Sequence, residues 1–212
     1  MNIVIIGGGV PGRFGNDLAI RFRKEGHRVK ILSHQTHTGI DQYTADFASY
    51  KSLKDQFDLM VEDLDSIDVF VYNTTFPMPP WNPEEFQSNA EVDIKSWNDI
   101  IHLHAIVPHI LATKTLAKMK SGSKLIFMTS ALAVDWNNMH HPELVGYASG
   151  KAAQTHLMRA LGLFNDKKAI ATALHAPFDY HDPDYYQSIF ERCYDYILTC
   201  DQNDNAKIKY IH

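Results

Sequence analysis

The sequence predicts an α/β fold, a doubly wound parallel sheet of about seven strands with helices on both faces. Three observations carry the prediction. Short apolar runs of strand length alternate with longer amphipathic stretches of helix length along the whole chain. The strand runs are continuously apolar, as strands buried under two layers must be. The first of them ends in a cluster of glycines that opens a helix. Right-handed crossovers then place helices on each side of the sheet.

In order, NIVIIG at 2–7 is a β-branched strand stopped by glycine. Residues 16–25 form a helix with Leu18, Ala19 and Phe22 on one face, and Gly26 ends it. HRVKILS at 27–33 is the second strand. Residues 35–43 are too few and too polar for a crossover helix, so the route to a third strand near 43–47 is irregular. A helix over 49–63 leads to the strand DVFVYNT, and FPMPPWNPEE beyond it is a proline-rich loop expected at a pocket rim. Residues 94–119 read as one long helix kinked at Pro108, returning to the sheet at SGSKLIFMTS. A helix over 147–164, a strand in KAIATALHAP, a helix in YYQSIFERCYDYIL and a strand in KIKYIH complete the alternation.

Length and composition bound the function. The 212 residues are expected to form a single domain, 1–212, with 45% hydrophobic and 21% charged residues placing them among ordinary globular chains. A formal net charge of −5 with scattered Lys and Arg gives no attraction to nucleic acid. No apolar run approaches the ~20 residues of a membrane span. The chain moves directly into a strand without a basic leader, so a cytoplasmic location is expected. Cys193 and Cys200 lie seven apart on one helix face and read as buried thiols. His102, His104, His140 and His141 tempt a metal assignment, but no HExxH or CxxC spacing supports one and no metal is expected.

The turn GGGVPGRFG, residues 7–15, carries the first chemistry. Gly7, Gly9 and Gly12 fit GxGxxG, while Gly9, Gly12 and Gly15 fit GxxGxxG. Between a strand and a helix, either pattern turns backbone N–H groups and the helix N-terminus toward a pyrophosphate, the dinucleotide arrangement of the Rossmann fold. Arg13 and Phe14 belong to the same turn. An NAD site expects a carboxylate at the end of the second strand, where this chain has Ser33 and His34. No carboxylate there would repel a 2′-phosphate, and Arg13 could pair with one, so NADP(H) is favoured over NAD(H). The plainer alternative makes Arg13 a solvated arginine at a helix start.

A second constellation follows. Tyr147 and Lys151, in YASGK, are four apart and share a helix face. A phenol with a reference pKa of about 10 is a poor acid or base at neutrality, but an adjacent ammonium favours its phenolate. Ser130 ends the preceding strand, at the carboxyl edge where such sheets bind ligands.

Together these residues resemble the short-chain dehydrogenase/reductase family over nearly the whole chain. In that pattern a glycine turn, an acid after the third strand, an Asn at the end of the fourth, a Ser and a YxxxK occur in order. Here they look like residues 7–15, Asp46, Asn73, Ser130, and Tyr147 with Lys151. The resemblance implies hydride transfer between a nicotinamide and a small-molecule carbonyl or alcohol. Tyr147 would protonate the nascent alkoxide, Ser130 would bind the carbonyl oxygen, and Lys151 would hold the nicotinamide ribose. Asp46 and Asn73 would seat the adenine side, with a turn carboxylate and a loop-capping asparagine as the plain alternatives. A homodimer or homotetramer packed through helices 94–119 and 147–164 is also implied.

Departures from the pattern matter as much. The family's catalytic Asn on the long helix falls at His104, which is either a substitute acid–base group titrating near neutrality or a core histidine. Seventeen positions separate Ser130 from Tyr147, more than the family shows, and Trp136, His140 and His141 in that stretch are placed to contact substrate. HAPF stands where the family has PG, bringing Pro177 to the cofactor, and only 34 residues follow Phe178, which implies a shortened lid. Tyr180, His181, Tyr185 and Tyr186 would line what remains or pack on the sheet. The alternative to an enzyme is a non-catalytic NADP(H)-binding redox sensor; an isomerase of nucleotide sugars would need a larger C-terminal region.

Overall fold

A computed structural model describes residues 1–35, 42–74, 94–134, 145–166 and 168–211. The proline-rich loop and Trp136, His140 and His141 lie outside the described residues. The elements are β1 (Asn2–Ile6), α1 (Phe14–Lys24), β2 (Arg28–Ser33), β3 (Gln42–Thr44), α2 (Tyr50–Val61) and β4 (Val69–Tyr72). A long helical stretch follows: α3 (Ile94–Ile101), a π-helical turn (His102–Ile106) and α4 (Val107–Leu116). Then come β5 (Lys124–Met128), α5 (Val145–Phe164), β6 (Ile170–His175), α6 (Pro183–Thr199) and β7 (Ile208–Tyr210).

The seven strands form one sheet in the order β3-β2-β1-β4-β5-β6-β7. All six pairings are parallel, with Ile5 opposite Ile31 on one side and Val71 on the other. This is the doubly wound α/β fold that the sequence predicts. Chain direction reverses across the sheet between β1 and β4, the switch point beyond whose carboxyl ends such folds bind ligands.

Strand residues alternate between two cores because successive side chains point to opposite faces. Val4, Ile6, Phe70, Tyr72, Leu125 and Phe127 face α2, α4 and α5 through Leu53, Phe57, Leu111 and Met158. Ile3, Ile5, Val69, Val71 and Ile126 face α1 and α6. The second face is the aromatic one: Phe14, Phe22, Phe190 and Tyr194 are all at most 4% exposed. With both faces covered, the strands have no need of the apolar–polar alternation of a half-exposed sheet.

Helix ends follow their local chemistry. Ser49 caps α2 by accepting the Ser52 N–H at 3.3 Å. Asp182 caps α6 through the Tyr185 N–H at 3.0 Å, with Pro183 next, where its missing N–H costs nothing. Lys124 closes the far end of α6 by donating to the carbonyls of Ile197 and Leu198. Cys193 and Cys200, on and just after α6, are buried free thiols.

The long helix is interrupted at the place where the sequence expects a kink. Pro108 has no N–H to give the carbonyl four residues back, at His104. The interruption takes the form of a π turn, in which the Val107 N–H donates to the His102 carbonyl five residues back. His104 lies within that turn and is 0% exposed.

Candidate active site

The carboxyl ends of five strands open on a cavity of about 730 Å³. Gly7 follows β1, Ser33 ends β2 with His34 after it, Asn73 and Thr74 follow β4, Met128 and Thr129 close β5, and Ala176 and Phe178 follow β6. Asp99, His102 and Leu103 reach it from the long helix, Tyr147 and Lys151 from α5, and Arg13 and Tyr180 from the two flanking turns.

The glycines of the turn have separate reasons. Gly12 holds a φ of +68°, a conformation that side chains resist. A Cβ on Gly15 would lie 2.8 Å from Gly8 Cα and 2.6 Å from Asn73 Nδ2, so α1 approaches the strand ends as closely as it does only with glycine there. Gly15 therefore fills the helix-packing role, and the 9-12-15 frame fits; nothing lies within 4 Å of a Cβ on Gly12. On Gly9 a Cβ would come within 2.3 Å of Ser33 Oγ, so Ser33, 2% exposed, packs directly beneath the turn. Asn73 Nδ2 donates to the Gly7 carbonyl at 3.3 Å, tying β4 to the turn.

The other binding candidates divide. Arg13, at the N-cap of α1, holds its guanidinium 4.2 Å from the centre of the Tyr180 ring, a cation–π contact that orients it along the cavity edge. His34 is exposed and lines the same cavity. Phe14 lines the core: it is 1% exposed and packs against Phe178, tilted at 4.7 Å, and edge-on to Phe190 at 5.9 Å, so its part in the turn is packing. Asp46 is exposed and turns back on its own chain, Oδ1 accepting the Ala48 N–H at 2.9 Å, while Phe47 and Ala48 beside it line the cavity. Pro177 is exposed between the lining residues Ala176 and Phe178, in a turn closed by the Phe178 N–H on the Ala176 carbonyl at 3.0 Å. Of the C-terminal tyrosines only Tyr180 lines the cavity; Tyr186 donates to Asp17 Oδ2 at 2.6 Å.

At the reactive end, Lys151 is 2% exposed and its Nζ sits 5.9 Å from the centre of the Tyr147 ring. Burial pulls its pKa down to about 7. Its three N–H groups meet three oxygens, the carbonyls of Met128 at 2.9 Å and Thr74 at 3.1 Å and Oε1 of Gln154 at 3.3 Å. Three acceptors match the ammonium form, which has three donors where an amine has two. Ser130 caps the short turn after β5, its Oγ accepting the Leu132 N–H at 3.3 Å, and its neighbours Met128 and Thr129 line the cavity.

His104 is the core alternative of the two that the sequence leaves open. Burial first, and the Lys151 charge second, lower its pKa to about 3, so it stays neutral at physiological pH and does not titrate near neutrality. It packs edge-on to Tyr147, ring centroids 5.7 Å apart. His102, two residues earlier, turns instead to the Phe47 carbonyl at 2.8 Å. Among the described residues no group of three or more His, Cys, Asp or Glu side chains could hold a metal ion.

Sequence reasoning missed Thr74, Thr129, Asp99, His102 and Leu103 as lining residues, and Gln154 behind them. Only Gln154 left a signal. It stands three positions after Lys151, on the same face of a helix whose other inward residues are small or apolar.

A family model described as short chain dehydrogenase matches residues 2–178. A search of curated proteins returns no match. Among solved structures, a Serratia marcescens short-chain dehydrogenase/reductase superposes with a TM-score of 0.78 at 14% identity, covering 99% of this chain and 95% of its own. A carbonyl reductase from Pseudomonas aeruginosa PAO1, solved in complex with NADP, gives 0.77 at 18% identity, covering 99% and 94%. At these identities the likeness is one of fold.

Proposed function

This chain belongs to the short-chain dehydrogenase/reductase family and is an oxidoreductase of that type, and we propose that it uses NADP(H) with a small carbonyl or alcohol substrate. The observation that carries the proposal is the shared cavity: Tyr147 and Lys151 open on the same space as the glycine turn, Arg13 and His34. A volume of about 730 Å³ is of the size that small-molecule and cofactor sites take.

The bound cofactor would supply or accept the hydride. The chain's own groups do the rest. Backbone N–H groups of the glycine turn and the N-terminus of α1 would hold the pyrophosphate. Arg13, held against Tyr180, and His34 would hold a 2′-phosphate; neither β2 nor the glycine turn contributes a carboxylate to the lining. A ribose hydroxyl would take the place of one of the three acceptors that Lys151 holds, and the ammonium would place positive charge beside Tyr147. Tyr147 gives its phenol proton to the substrate oxygen, with Ser130 hydrogen-bonding the same oxygen. His104, neutral and buried, moves no proton in this scheme.

The test is NADPH binding by fluorescence followed by NADPH oxidation across aldehydes, ketones and quinones. Tyr147→Phe is expected to lower turnover about 10²- to 10⁴-fold while the NADPH Kd stays within about threefold. A variant that keeps full turnover removes Tyr147 as the proton donor. One observation favours a second reading, a binding protein that senses the cofactor: all three Lys151 donors are already held by the protein. Tight NADPH binding by the wild type with no turnover on any substrate would select that reading.

A further inference from the structure

Behind the cavity, Gln154 joins residues from four elements. Its Nε2 donates to the Met128 carbonyl at the end of β5 at 3.0 Å. Its Oε1 faces Lys151 Nζ at 3.3 Å and His104 Nδ1 at 3.3 Å, and the Lys151 ammonium reaches on to the Thr74 carbonyl after β4. The amide has one chemically sensible orientation. Flipped, it would set its NH₂ against an ammonium and its oxygen against a carbonyl. An amide oxygen only accepts, so His104 must carry its proton on Nδ1 and a lone pair on Nε2. That Nε2 is buried with no hydrogen-bond partner among the described residues.

The packing is built around this contact. Gln154 and His104 are both 0% exposed. The residue that lets the π turn approach α5 is Gly150, where a Cβ would lie 2.7 Å from Ile100 Cγ2 and 3.0 Å from His104 Cδ2. An unpaired buried polar side chain carries its full desolvation cost, so a glutamine at this depth persists only with its partners in place. Two of the three oxygens around Lys151 are strand-end carbonyls whose positions the sheet sets. The third is a side chain, the part of the cradle that sequence can change.

We propose that Gln154 is a positioning residue of the site: its carbonyl oxygen ties the Lys151 ammonium to the His104 imidazole and thereby fixes the lysine charge beside Tyr147. This rests on the reading of Tyr147 and Lys151 as the reactive pair. Among the described residues, the titratable groups that face Lys151 are His104 from the π turn and Tyr147 from its own helix; the end of β5 and the segment after β4 present carbonyls.

The experiment uses the cofactor-free full chain labelled with ¹⁵N, following the Lys151 ammonium and the His104 ring nitrogens by NMR against pH. Gln154→Leu, which removes the acceptor, is expected to lower the Lys151 midpoint by about one pH unit, and Gln154→Glu, which adds an anion, to raise it by at least about as much. In the wild type His104 shows a single Nδ1–H tautomer, which becomes a mixture in Gln154→Leu. Thr155→Val, a neighbouring buried change that removes a hydroxyl bonded to Thr129 at 2.8 Å and to the Lys151 backbone carbonyl at 2.9 Å without touching the Lys151 ammonium, serves as the packing control and leaves both signals in place. A Lys151 midpoint unmoved in the Leu and Glu variants, or an equal shift in Thr155→Val, overturns the proposal. If Gln154→Leu does not fold, Gln154→Glu decides alone. No cofactor or substrate enters these measurements, so absent turnover would count against the function proposed above and leave this result standing.

Discussion

The two ends of the cavity are made of different material. At the glycine end the chain presents backbone: a turn pressed so close to β4 and α1 that side chains are excluded, with Ser33 filled in beneath Gly9. Around Lys151 the working parts are buried side chains from separate elements, His104 meeting Gln154 across 50 residues of sequence and Lys151 reaching the Thr74 backbone carbonyl across 77. The first kind of site depends on where side chains are absent. The second depends on which side chains meet, and on how the low-dielectric interior changes their charge.

That contrast can be broken by substitution. The largest effect is expected at Gly15. Gly15→Val places carbon within 2.6 Å of Asn73 Nδ2 and 2.8 Å of Gly8 Cα. It should destabilise the fold by about 3 kcal/mol, the upper part of the usual cost of overpacking, as read by chemical denaturation. NADPH affinity should fall with it, because the same approach shapes the turn. A variant of wild-type stability and affinity would show that the close packing is dispensable.

His104 sharpens the comparison at the other end. Its pKa is lowered from 6.5 to about 3 in the fold. Below 6.5 the unfolded chain therefore takes a proton that the native protein refuses until about pH 3, so native stability falls as pH falls through that window. His104→Asn removes this term. The stability difference between wild type and variant should be flat above pH 7 and shrink on acidification by at most about 1.4 kcal/mol per pH unit. Parallel curves from pH 7 to 4.5 would mean that His104 accepts a proton in place. The smallest effect is expected at Arg13: Arg13→Ala should weaken NADPH binding about tenfold, the scale of one charge-assisted hydrogen bond, and leave NADH nearly unchanged. Equal losses for both cofactors would move Arg13 away from the 2′-phosphate.

The legibility of the site in the sequence follows the same division. The five inner strand runs were readable because burial on both faces makes them almost continuously apolar, whereas the edge strands Gln42–Thr44 and Ile208–Tyr210 are partly exposed and carry polar residues; the glycine turn was readable from its composition. Tyr147 and Lys151 were readable because helix periodicity puts them on one face. Boundaries moved by one to three residues: α1 begins at Phe14 and takes Arg13 as its N-cap, the third strand ends at Thr44 rather than 47, and the long helix ends at Leu116 rather than 119. Gln154 and His102 were not legible as parts of a site, since nothing local in the chain says that a glutamine on α5 will face a histidine 50 residues earlier.

By itself, then, the sequence determined the α/β alternation, the strand-turn-helix that carries the glycines, and the Tyr147–Lys151 pair, all of which are periodic or compositional and act over a few residues. The tertiary structure decided which glycine frame packs α1 on the sheet, that Phe14 belongs to the core and Arg13 to Tyr180, and that Pro108 is met by a π turn. It also decided that His104 is neutral and that Lys151 holds its three oxygens. Those facts depend on desolvation and on partners brought together only when the two layers close on the sheet, which is where a pKa departs from its unfolded value.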